Sequence, residues 1–256
     1  MDSQNLSDEI GIELDAQIKG NQLSAYTKHL SKLIELYILE PERYEIDFER
    51  ICYTVIHKLC SLLDTSSYLI INTNIEAKPH FIDGIFLILR TCLSDAICLY
   101  FIVDKHDNPQ LSQKRIERIM ADHIRYVYLD TETENDKKII RDKFPQWFDG
   151  NNFTKKINKL STHIMVKEIE NLNLQHEAKK AFKMYNEFSK SEHNGLFSFD
   201  ILHGHFDEKR NMIDKAKIYH AIFRTVISIN LAMEIWIDNQ DNKHKELIRL
   251  SKLLMS

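Results

Sequence analysis

Six glycines and four prolines punctuate a chain of 256 residues. A β-rich fold of this length turns its strands with many more of these residues. Their scarcity constrains the chain to long helices joined by short connections. Apolar residues recur with the helical period where such helices should lie. Segments 6–19 and 22–40 read as two helices separated at Gly20–Asn21, the second carrying Leu23, Tyr26, Leu30 and Leu33 and ending at Pro41. A third helix covers about 45–63, and "DTSSYLIINTNIEAKP" after it reads as an irregular crossover. The most apolar helix spans about 80–104; a turn at "DKHDNP" then places Pro109 in the first turn of a helix over about 109–130. Residues 131–160 are polar and broken by Pro145 and Gly150, with "QWFDG" as a packed corner. Helices over about 153–171 and 174–194 lead to Gly195, a C-terminal cap, and a long helix over about 206–238 precedes a short closing one. No internal repeat, low-complexity tract or flexible linker interrupts this pattern. The expectation is an all-α, single helical-bundle domain of about eight to nine helices. Residues 1–75 would form an N-terminal helical layer, continuous with a main bundle over 76–256.

With 34 basic against 38 acidic residues, no global basic field calls for nucleic acid or an anionic membrane. Cys52, Cys60, Cys92 and Cys98 all lie in apolar helical patterns and form no Cys-x-x-Cys pair, so they read as buried reduced thiols. The start, "MDSQNLSDEIGIEL", has no apolar signal core. Gly84–Val103 has the length to span a bilayer but carries Arg90 and Asp95 in its middle. Each would cost roughly 2.5–3.5 kcal/mol at a bilayer centre. The run "YHAIFRTVISINLAMEIWID" is interrupted in the same way by Arg224, Asn230 and Glu234. Both read as buried helices of a cytoplasmic protein with no membrane partner.

Chemistry is expected where polar residues meet apolar faces. Arg90 shares a helical side with Asp83, Ser94, Ile97 and Phe101, while Asp95 points about 140° away. A guanidinium in so apolar a helix needs a polar partner, because an unsatisfied buried charge costs several kcal/mol or more. Tyr185, Ser189 and His193 supply one: spaced four apart, they stack along one side of a helix that also carries Ala178, Ala181 and Phe182. Arg90, His193, Ser189 and Tyr185 are therefore the candidate catalytic residues, with His193 exchanging protons and Arg90 stabilising anionic charge. The competing reading makes the same four a hydrogen-bonded network that fixes helix register. Downstream, Glu192, Asp200, His203, His205 and Asp207 cluster in sequence, but nothing fixes a ligand geometry; they read as a His-rich turn, and no metal or cofactor is expected.

A second pair is Arg118 and His123 in "RIMADH". His123 lies with Ile116, Ile119, Met120, Ile124 and Val127, the placing of a core or interface histidine, while Arg118 points to the other side. Lys114, Arg115, Arg118 and Arg125 run along one helical side, interleaved with Glu117 and Asp122, and read as a solvated face.

"LRTCLSDAICLYFIV", with Arg90, and "YNEFSKSEH", with Tyr185, Ser189 and His193, together resemble the motifs of an uncharacterised family of all-helical bacterial domains of unknown function. That family carries an acidic residue four after the Arg, where this chain has Ser94, with Asp95 next. The likeness covers about residues 75–235 and implies an all-helical cytoplasmic protein. The Arg-x4-His spacing of Arg118 and His123 is similar to that of the HEPN superfamily (higher eukaryotes and prokaryotes nucleotide-binding). That resemblance implies RNA or a nucleotide as partner, metal-independent ribonuclease chemistry at an Arg/His pocket, a homodimer, and a setting in bacterial defence. The alternative is a non-enzymatic helical interaction or scaffold module that engages a protein partner, with the Arg/Tyr/Ser/His set as architecture.

Overall fold

The computed structural model describes residues 3–38, 47–72, 80–153, 160–193, 208–236 and 242–255, with side chains over 17–35, 51–72, 84–153, 160–189, 216–234 and 245–254. Among the described residues there are nine α-helices and one two-stranded hairpin, so the protein is all-α, as its glycine and proline content requires. The helices are α1 (Ser3–Ile38), α2 (Asp47–Asn72), α3 (His80–Val103), α4 (Pro109–Asp130), α5 (Glu134–Lys143), α6 (Thr162–Glu168), α7 (Leu172–His193), α8 (Glu208–Trp236) and α9 (Asn242–Met255). The predicted cap at Gly195 lies outside the described residues.

Gly20 does not separate two helices; α1 runs through it. A Cβ at this position would stand 2.5 Å from Ile71 Cγ1 and 3.3 Å from Ile70 Cγ2, so the glycine admits α2 where a side chain would clash. It spends helix propensity, about 1 kcal/mol relative to Ala, on a close backbone approach. Nor does α2 end near residue 63: it continues to Asn72. The turn-forming side chains there bond back within the helix. Thr65 donates to the Ser61 carbonyl at 2.9 Å, Ser66 to Leu62 at 2.9 Å, Ser67 to Asp64 at 2.8 Å and the Asn72 amide to Tyr68 at 2.9 Å. Hydroxyls bonded one turn back let the helix continue, at a small cost to its stability.

α3 is the axis of the protein and packs against α2, α4, α6, α7 and α8, while α1 lies against α2 and α9. Leu89, Cys92, Leu93, Ala96, Ile97 and Tyr100 have no exposed surface. By length and composition Gly84–Val103 could cross a membrane, and 61% of it is buried inside the protein. One cluster of buried side chains includes Tyr26 and Leu30 of α1, Leu59 and Leu63 of α2, ten residues of α3, Phe188 of α7, Ile229 and Met233 of α8, and Leu247 of α9.

α4 has the predicted bounds: Asn108 caps it by accepting from the Leu111 amide at 3.2 Å, and Pro109 occupies the first turn. The polar stretch beyond contains what periodicity missed. α5 is capped by Thr133, buries none of its residues and so leaves no apolar stripe to read. A 3₁₀ turn at Pro145–Trp147 then leads into strands β1 (Phe148–Asp149) and β2 (Asn152–Phe153), paired antiparallel with Phe148 opposite Phe153. Gly150, with φ of 58°, makes the left-handed turn between them. The "QWFDG" corner buries Trp147, which stacks on Phe144 at 5.2 Å; Phe148 meets Tyr128 of α4 at 4.8 Å. Of the helix expected over about 153–171, Thr162–Glu168 is helical, Phe153 is in a strand, and 154–159 lie outside the described residues.

Candidate functional site

α3 and α7 lie side by side, and their contact brings Arg90 to Tyr185 and Ser189. The Arg90 Nε–H donates to Ser189 Oγ at 2.9 Å, and Nη2 donates to the Tyr185 hydroxyl at 3.3 Å. The guanidinium carbon also stands 5.2 Å from the centre of the Tyr185 ring, within cation–π range. Ser189 Oγ–H donates in turn to the Tyr185 carbonyl at 2.8 Å, one turn back on its own helix. A hydroxyl is one donor and two acceptor sites. Here the donor is given to the backbone and an acceptor site to Arg90. One turn from Arg90, Phe86 stacks on Phe188 with ring centres 4.7 Å apart.

The polar row does not lie in the centre of the buried face. Ala178, Ala181 and Phe188 form the fully buried line of α7, while Phe182, Tyr185 and Ser189 flank it half-buried. Arg90 is likewise half-buried. The three polar groups therefore form a seam at the edge of the helix contact. The side chain of His193 lies outside the described residues, as do those of Glu192, Asp200, His203, His205 and Asp207. Among the described residues no group of three His, Cys, Asp or Glu side chains is placed to hold a metal ion.

Asp95 does not meet Arg90. It reaches across to α2, where Lys58 Nζ stands 2.8 Å from its carboxylate. Burial raises the Asp95 carboxyl above its ordinary range, against the lowering effect of Lys58.

Arg118 and His123 are not brought together. Arg118 is half-exposed and grips Glu168 of α6 through both terminal nitrogens, the Nη2 contact at 3.2 Å. His123 is exposed rather than a core residue, because the apolar side of α4 is covered only along its first half: Ile116 is buried, whereas Val127 is 39% exposed. The basic side of α4 is not a solvated face either. Arg115 is buried, its Nη1 2.9 Å from Asp104 and also donating to the Phe101 carbonyl, while Nη2 donates to the Glu168 carbonyl at 2.7 Å. Asp104, at the end of α3, accepts from the Asn171 amide at 2.7 Å and the Glu170 amide at 3.2 Å, just before α7 begins.

A second charged cluster escaped sequence reasoning. Glu177 of α7 pairs with Arg224 of α8 and with Lys180 at 2.9 Å. Burial acts to raise its carboxyl, but Lys180 and Arg224 outweigh it and hold Glu177 below the ordinary range. Tyr100 of α3 is fully buried, with no hydrogen-bond partner for its hydroxyl among the described residues. Burial, and then Glu177, push its ionisation well up. The visible signal was Arg224 in the apolar run of α8, which demanded a carboxylate as Arg90 demanded its hydroxyls. No family model, curated protein or solved structure matches this chain. The reading of the site therefore rests on its own geometry.

Proposed function

We propose that the chain is a non-enzymatic helical interaction module, in which Arg90, Tyr185 and Ser189 brace α3 against α7. The observation that supports this is the commitment of Ser189: its proton goes to the Tyr185 carbonyl and its oxygen accepts from Arg90 Nε. A serine nucleophile needs a base on that proton, and here the proton closes a backbone contact. Removing the brace is expected to loosen the fold. Ser189→Ala and Arg90→Ala should each lower thermal stability, by about 1 kcal/mol or more where a buried partner is stranded. Variants as stable as the wild type would remove this reading.

A second reading, an RNA-directed protein with metal-independent chemistry at Arg90 and His193, draws support from one observation. Arg90, Tyr185 and Ser189 are half-buried, not sealed, so the seam keeps contact with solvent. Its test is incubation of the purified protein with RNA in EDTA, comparing wild type with Arg90→Ala and His193→Ala. Cleavage lost in both folded variants supports it; equal cleavage in all three, or none in any, counts against it.

A further inference from the structure

One side of α4 changes character halfway along the helix. Ser112, Ile116, Ile119, His123, Tyr126 and Asp130 follow one another three or four residues apart, so they lie along one side. Ser112 and Ile116 are buried and Ile119 is half-buried, but His123, Tyr126 and Asp130 are exposed. The helix outruns the bundle that covers this side. Val127 and Leu129 add apolar surface, and a groove of about 400 Å³ runs past Tyr126, Val127, Leu129 and Asp130. Tyr126 is 48% exposed and Leu129 67%. On other sides of the same turns α4 is engaged, where Tyr128 meets Phe148 of the hairpin.

A contiguous apolar surface left bare marks a place of contact. The polar groups at its two ends say with what. His123 and Asp130 have no hydrogen-bond or ion-pair partner among the described residues. Two turns of one helix separate them, about 10 Å at 1.5 Å per residue, so they do not reach each other. A second α4 laid antiparallel, turned about an axis between Tyr126 and Val127, changes this. His123 then faces the partner's Asp130, Asp130 faces the partner's His123, and Tyr126 faces the partner's Val127. The surface is its own complement, with an apolar centre, an N–H donor at one end and a carboxylate acceptor at the other. A two-fold contact requires that self-complementarity.

We propose that the second half of α4 is a homodimer surface, occupied by the same stretch of a second copy of this chain. This names a partner for the interaction module and rests on that reading, but it shares no residue with the Arg90 brace. The exposed stripe is only two turns long, at the small end of specific interfaces, so a dissociation constant of about 1–100 μM is expected.

The test is sedimentation equilibrium of the full chain, with melting curves to establish that each variant is folded. The wild type should show a monomer–dimer equilibrium. Val127→Asp and Tyr126→Asp should each weaken it by about tenfold or more, and so should His123→Asp, which sets like charges opposite each other. Adding Asp130→Lys to His123→Asp should restore association, because the pair is re-formed between chains with its charges exchanged. Lys114→Glu, at an exposed position on another side of α4, should leave it unchanged. A wild type that stays monomeric at about 100 μM overturns the proposal, and so does a dimer that survives Val127→Asp and Tyr126→Asp. Failure of the double variant to recover association overturns the antiparallel pairing. Either result leaves the brace to its own test, since Arg90→Ala is read there by stability and not by association.

Discussion

Asp104 and Arg115 form an ion pair at 2.9 Å in which the carboxylate side chain has no exposed surface. The pair joins the residue that follows α3 to α4, and the same carboxylate receives the two amides that precede α7. Removing one member of a buried pair leaves an uncompensated charge, which costs about 3–5 kcal/mol. Arg115→Met should therefore lower the melting temperature sharply, and Asp104→Ala at least as much, since it also removes the two amide contacts. Denaturant unfolding of both variants checks this. A loss no larger than that of a surface substitution would contradict the burial of the pair.

The Arg90 brace is expected to show coupling. Ser189 Oγ accepts from Arg90 Nε at 2.9 Å, so the two substitutions to Ala should not add. A double-mutant cycle should return an interaction energy of about 0.5–3 kcal/mol, the range for residues in one network. Additive losses would mean that the contact contributes nothing of its own.

Gly20→Ala separates the two roles a helical glycine can have. If it were only a weak point in α1, the substitution would stabilise the protein through better helix propensity, by about 1 kcal/mol. The new Cβ would instead stand 2.5 Å from Ile71 Cγ1. The expected result is a net loss of about 1–3 kcal/mol from overpacking. Ile71→Ala in the same chain should recover part of it, as read by thermal melts.

Glu177 gives the fold an acid-sensitive contact. Its folded-state pKa is depressed, because Lys180 and Arg224 together outweigh the burial that would raise it. A depressed carboxylate stabilises the folded state above its unfolded pKa, and that contribution is lost as pH falls through the folded one. Stability of the wild type should drop on acidification below the ordinary carboxylate range. Glu177→Gln, less stable at neutral pH, should show a shallower drop over the same interval. Parallel curves for the two would show that Glu177 titrates alike in both states.

What was legible in the residues followed from local physics. The bounds of α4 could be read because Asn108 and Pro109 mark its start chemically. Arg90 could be matched to Tyr185 and Ser189 because a cation in an apolar helix leaves few polar partners. Gly20 misled because a glycine that breaks a helix and one that admits a neighbour look the same until Ile71 is in place. The end of α2 was missed because Thr65, Ser66 and Ser67 can bond inside a helix as well as terminate one. Arg115 could not be told from Lys114 or Arg118, since only the return of the chain to Asp104 distinguishes it.

The four cysteines are outside any disulfide, Cys52 and Cys60 on α2, Cys92 and Cys98 on α3, and Cys60 turns toward α1, donating to the Thr27 carbonyl at 3.3 Å. Burial, with nearby carboxylates, pushes Cys60 to about 11, Cys98 to about 12 and Cys92 higher still. Alkylating reagents attack the thiolate, which these positions withhold at neutral pH while the helices stay closed. The rates at which Cys60, Cys92 and Cys98 are labelled thus become a clock for breathing of the contacts that α2 and α3 make, read out by mass spectrometry without introducing any probe.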